Sequence, residues 1–283
     1  MASTAGKWFL GCGIGCLVLI LIVVAIGVGG YFQVKKVVDK VQEADVATRE
    51  VTDRYGRIRE YRPDADGAIR PERMETFLKA REMMAGERES MERSLDLLSR
   101  GQEGGGDGSR GGMFAKIRAG AGLIPGIFGF FTQRNEALLE AEMGLGEYTY
   151  IYSIAYFSWL GRSPADGPPF VLTGGSEKNE GWDEFEVREA RLEMTLLRLN
   201  EQLLPMLRHQ LEDAGEMDDV TARREWSRAL EAEIQAMESD PYRLPWKDGL
   251  PEQLQASLEP YRERLDQSYS ELCNTLEVGL QGP

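Results

Sequence analysis

At 283 residues and a net charge of −14, the chain has room for one sizeable domain but is too acidic for a nucleic-acid partner, which needs clustered Lys and Arg. The single histidine, His209, excludes His-rich metal centres, and Cys12, Cys16 and Cys273 give no disulfide framework, because the first two share one apolar run. The same acidity opposes adsorption of the folded part onto anionic lipid.

That run, Trp8 to Phe32, carries no charge and is long enough as a helix to cover a ~30 Å hydrocarbon core. Aromatic residues stand at both ends, where interfacial rings belong. A single membrane anchor over 1–32 is expected, with a signal-like order: Lys7, the apolar stretch, then small residues at Ala25 and Gly27. Lys35, Lys36 and Lys40 outnumber Lys7, which argues for a cytoplasmic body; the signal-like layout argues for an exported one, the reading adopted here. Gly11 and Gly15, with Cys12 and Cys16, form a small-residue face suited to helix–helix approach, although small residues are common in any membrane span.

A helical stalk over 33–62 follows, with Val34, Val41, Thr48 and Tyr55 on one heptad position and Val37, Ala44, Val51 and Ile58 on the other. No complementary flanking charges specify a second copy, so packing on the same chain is expected, with homo-oligomerisation through anchor and stalk as the alternative. Arg62 to Arg73 partly matches a calcium loop at Asp64, Asp66, Gly67 and Ile69. Arginine at its first and last positions removes two essential ligands, so a turn leading into a helix at Pro71 is the better reading. The region 63–100 forms a first bundle helix through Met74, Phe77, Leu78, Met84, Met91, Leu95 and Leu98.

Residues 101–112, GQEGGGDGSRGG, read as a glycine-rich linker; the G-x-G-x-x-G match within them lacks a preceding strand. The main helical domain then spans 113–276. It opens on Ala119 to Phe131, a charge-free stretch too short to span a bilayer. Its Leu123, Ile124, Ile127, Phe128, Phe130 and Phe131 suit burial in the core first, membrane contact second and a partner surface third. A long helix from about Gln133 to Leu160 carries Tyr148, Tyr152 and Trp159 on one stripe, read as a core helix or as the lining of an apolar cleft for a ligand.

Gly161 to Trp182 is a long connection with room for one short strand at Phe170. A helix from Asp183 to Ala214 has its stripe through Phe185, Leu192, Leu196, Leu199, Leu203 and Leu207. Asp218 caps a helix through Val220, Trp226, Leu230, Ile234 and Met237, and a last helix broken near Pro260 carries Leu254, Leu258, Tyr261, Leu265 and Leu272. The end, LEVGLQGP, resembles a viral 3C-protease recognition sequence, from which Gly279 and Leu280 depart. Residues 277–283 are therefore read as a disordered tail, natural or left by cloning.

The expected fold is all-α: a single N-terminal transmembrane helix continuing into a stalk, then an irregular bundle of about five helices. No Gly-x-Ser-x-Gly elbow, Walker loop or HExxH helix is present, and His209 with Glu212 makes too few ligands for a metal, so no catalytic residue, metal or cofactor is assigned. The expected function is a single-pass membrane-anchored interaction or scaffold module. Its partners are the bilayer through residues 8–32 and another membrane or envelope protein of a bacterial type of cell. A ligand-binding helical module is the alternative, and a carboxylate-based envelope hydrolase the third reading.

Overall fold

The computed structural model describes residues 31–103, 110–168 and 184–278, and among these every regular element is helical. Among the described residues no helix is long and apolar enough to cross a membrane. The expected anchor lies outside the described residues except for Tyr31 and Phe32, and so do Gly11 and Gly15.

Helix α1, Tyr31–Tyr55, buries Ala44, Ala47 and Val51. It ends earlier than the expected stalk: Ile58–Glu60 is a separate 3-10 turn, held by the Glu60 carboxylate accepting from the Arg57 amide at 2.8 Å. The single helix expected from about Pro71 to Ser99 is two, α2 (Pro71–Met83) and α3 (Ala85–Glu103). Its expected stripe is otherwise right: Met74, Phe77, Leu78, Met84, Met91 and Leu95 are all buried. Helix α4, Arg110–Glu140, continues through Pro125. Both ends of the expected glycine-rich linker are thus helical, and only 104–109 lies outside the described residues.

Helix α1 lies along α4 with both chains running in the same direction. The Asn135 amide donates to the Thr48 hydroxyl at 2.8 Å, and further along Tyr55 packs on Gly144. Helix α3 runs the opposite way on α4, with Met91 against Gly126 and Glu87 against Gly129. The beginnings of α1 and α4 therefore lie at one end of the body.

The expected long helix over 133–160 is broken. After Glu140 the Met143 amide reaches the Leu138 carbonyl (2.9 Å) and the Glu142 amide the Leu139 carbonyl (3.2 Å), a Schellman ending with Glu142 at φ +55°. Glycine usually holds that left-handed position, so its occupation by glutamate concealed the break. Helix α5, Leu145–Tyr152, then runs directly into a π-helix, Ser153–Trp159. Gly146 is required by close approach: a Cβ there would stand 2.6 Å from both the Ile58 carbonyl oxygen and the Tyr61 Cβ.

Helix α6, Glu184–Ala214, and helix α7, Val220–Ser239, pack against each other. Leu199, Leu203 and Leu207 are buried as expected, but Phe185 and Val220, expected on apolar stripes, are exposed. The α7 cap is Asp219 instead of Asp218; its carboxylate accepts from the Thr221 and Ala222 amides at 2.9 and 3.0 Å. Trp226 of α7 stacks on Trp246 (centroids 5.6 Å apart) and lies against Gly67, whose φ of +77° and 2.4 Å clearance leave no place for a Cβ. The chain ends in α8 (Glu252–Leu258), α9 (Arg262–Ser268) and α10 (Asn274–Val278).

The last of these takes in the first two residues of the expected tail, 277 and 278; the rest of that tail, 279–283, lies outside the described residues. Leu276, Glu277 and Val278 are all buried: Leu276 joins Met84, Met91, Leu95, Ile127 and Phe130 in a second core, and Val278 joins the main one.

Candidate functional site: a buried arginine–tyrosine centre

Three arginines lie on helix faces that otherwise carry apolar residues. Arg81 follows Phe77 and Leu78 on α2, Arg88 stands between Met84 and Met91, and Arg134 stands between Phe130 and Leu138 on α4. These spacings turn them inward, and they are 0, 7 and 2 % exposed. They converge on α10: Arg81 and Arg88 pair with the Glu277 carboxylate, and Arg134 reaches the backbone of the same helix. Arg81 donates through Nη1 to Glu277 Oε1 (3.2 Å) and to the Tyr148 hydroxyl (2.7 Å). The Arg88 Nε stands 3.5 Å from the same carboxylate oxygen, and the Tyr148 hydroxyl donates to its other oxygen at 2.6 Å.

The remaining donors hold the backbone of the chain's end. Arg81 and Arg88 both donate to the Ser268 carbonyl, one of the unsatisfied carbonyls at the close of α9. Arg134 donates to the carbonyls of Leu276 and Glu277 (3.5 and 3.4 Å). Asn274 accepts from the Tyr152 hydroxyl at 3.0 Å and donates to the carbonyls of Ser163, Pro164 and Asp166. The Arg81 guanidinium also lies 5.1 Å from the Tyr152 ring and 5.0 Å from the Tyr156 ring. Two cations thus share one carboxylate while a third, Arg134, holds the carbonyls beside it, and carbonyl dipoles and ring faces supply further negative potential.

Burial pushes the Glu277 carboxyl up, but Arg81, Arg88, the Tyr148 hydroxyl and Arg134 outweigh it and hold the group below the usual carboxylate range. Burial drives the Tyr148 and Tyr152 hydroxyls well above the ordinary phenol value. The acid moves down and the phenols move up, both away from neutrality. A carboxylate-pair hydrolase uses two carboxyls whose pKa values are pushed apart in one cleft, and among the described residues this centre brings one together with the arginines. Its chemistry is that of a clamp: an ionised carboxylate and several carbonyls held by guanidiniums.

Of the residues expected to line a ligand cleft, Tyr148 and Tyr152 do come together, with ring centroids 6.0 Å apart. The space beside them is filled by Arg81, Asn274 and Glu277. Trp159 is half-buried at the rim, with the Arg262 guanidinium 4.2 Å above its ring. In the apolar stretch, Ile127 and Phe130 are buried and Phe128 and Phe131 half-buried, in line with burial in the core; the side chains of Leu123 and Ile124 are outside those described. Asp64 and Asp66 both pair with Arg70, at 3.1 and 2.8 Å, which accounts for the calcium-loop resemblance as an ion-paired turn. Glu212 pairs with Arg62 at 3.2 Å, and among the described residues no group of three potential ligands stands together for a metal.

Two open grooves mark the surface. One, of about 530 Å³, runs between α1 and α4 and is lined by Asp39, Glu43, Val46, Ala47, Glu50, Glu136 and Leu139, among others. The other, of about 600 Å³, lies along α6 beside Tyr242 and carries Glu186, Glu189 and Glu193. No protein-family model, no curated protein and no solved structure matches the chain.

Proposed function

We propose that the protein is a single-pass membrane-tethered interaction module whose helical body lies outside the cytoplasm and docks partner proteins. The observation that carries this reading is the continuity of the apolar run Trp8 to Phe32 with α1, which begins at Tyr31 and is packed along α4. A body attached in this way is held close to whatever holds the run. Because α1 and α4 run in the same direction, the charge-free stretch from Ala119 begins near the level of Phe32 when both helices are counted back from the Thr48–Asn135 contact. An uncharged stretch of α4 at the end of the body where α1 starts suits a membrane-facing end. The buried centre turns inward, so contact with partners falls to the acidic outer faces.

Alkaline carbonate extraction of membranes from cells expressing the full chain tests the tether. The chain is expected in the membrane pellet, and a chain lacking residues 8–30 in the supernatant with its helicity kept. Release of the full chain by carbonate overturns the reading. Protease added to intact spheroplasts is expected to digest the body; digestion only after lysis places it in the cytoplasm.

A further inference from the structure

We propose that the groove between α1 and α4 is a docking site for a cationic amphipathic helix of a partner protein. This inference rests on the interaction-module part of the proposed function and is independent of the membrane tether.

Two helices lying side by side in the same direction leave a trough along their outer face, and a third helix is the natural shape to fill it. In α1 the positions facing this trough are Asp39, Glu43, Val46 and Glu50, spaced by four, three and four residues and so on one stripe. The floor is apolar: Ala47 is buried, Leu139 of α4 is half-buried, and Val46 stands 56 % exposed. The rim is acidic, with Glu136 of α4 facing the α1 carboxylates. Lys40 stands beside them, bonded to Glu43 at 2.5 Å. Asp39, Glu50 and Glu136 make no ion pair with any described residue.

An apolar floor inside an acidic rim specifies its occupant by complementarity. The occupant presents leucine-like side chains on one helical face, flanked by Lys or Arg. Anionic lipid and nucleic acid are repelled by the rim. A second copy would bring the same carboxylates against themselves across a two-fold contact, which disfavours self-docking.

The test uses the full chain in a zwitterionic detergent and a fluorescent 18-residue Leu–Lys amphipathic peptide, with its Leu–Glu counterpart as control. Fluorescence anisotropy is expected to show saturable binding of the Leu–Lys peptide only. The triple variant Glu43→Gln, Glu50→Gln, Glu136→Gln should weaken it at least tenfold. The matched triple Glu186→Gln, Glu189→Gln, Glu193→Gln in the other groove, with the same net charge, should change it less than threefold. Equal weakening by the two triples would reduce the binding to general charge attraction and overturn the proposal, as would absence of binding or preference for the Leu–Glu peptide. Val46→Lys, at an exposed position, places a cation in the trough and is expected to weaken binding tenfold without loss of helicity, so the test stands even if the first triple misfolds. Concentration-dependent self-association of the wild type that Val46→Lys abolishes would assign the groove to a second copy instead.

Discussion

The centre around Glu277 and the groove between α1 and α4 use charge in opposite ways. In the centre two guanidiniums pair with one carboxylate and a third stands against its backbone, and all four side chains are at most 8 % exposed. In the groove four carboxylates face water with one lysine among them. Between these two regions, positive charge is turned inward at the centre and negative charge is left facing water at the groove. Buried charges without partners carry a large desolvation cost, so the centre should be sensitive to the loss of any member; exposed carboxylates pay almost none and should be tolerant.

The contrast is broken most directly at Glu277. Glu277→Ala leaves Arg81 and Arg88 buried without their carboxylate and is expected to lower unfolding stability by about 3–5 kcal/mol, read by urea denaturation. A loss no greater than that of a surface substitution would abolish the distinction between the two regions. Next comes packing at Gly67: Gly67→Ala adds a Cβ against Trp226 at a left-handed φ and should cost about 1–3 kcal/mol by the same measurement. A loss of about 1 kcal/mol is expected for Asp219→Ala, which removes the cap of α7. The smallest effect is expected in the groove, where Glu43→Gln should change stability by no more than about 0.5 kcal/mol.

Acid sharpens the same comparison. The folded-state pKa of Glu277 lies below its ordinary 4.5, so its contribution is complete above that value and is lost as pH falls through the depressed one. The stability gap between wild type and Glu277→Gln should therefore be widest near neutrality and narrow on acidification below about pH 4.5. A gap that widens in acid would mean that the carboxyl is protonated in the native protein.

The sequence made the helices legible wherever apolar residues recur at helical spacing, as from Met74 to Leu95 and from Leu199 to Leu207. It failed where one residue type did the work of another. Glu142 in a glycine's left-handed position hid a helix end, and an aromatic period running unbroken through Tyr148, Tyr152 and Tyr156 hid the change from α- to π-helix. Phe185 and Val220 kept the apolar period but sit at helix beginnings, facing solvent. The buried centre is hidden by one feature of the sequence and marked by another. The resemblance of LEVGLQGP to a protease site masks the Leu272 and Leu276 spacing that packs the last helix. Arg81, Arg88 and Arg134 each interrupt an apolar stripe at an inward position, and that interruption is the signal that marks them.

The placement of Glu277 also orders events in time. Arg81 and Glu277 are 196 residues apart, which at ~5–20 residues per second separates their synthesis by about 10–40 s. Through that interval the guanidiniums of α2, α3 and α4 have no carboxylate to enclose, whereas the apolar stretch from Trp8 has long since left the ribosome. Closure of the centre thus waits for α10, and packing of the body around Glu277 is completed only after residue 277 has been made.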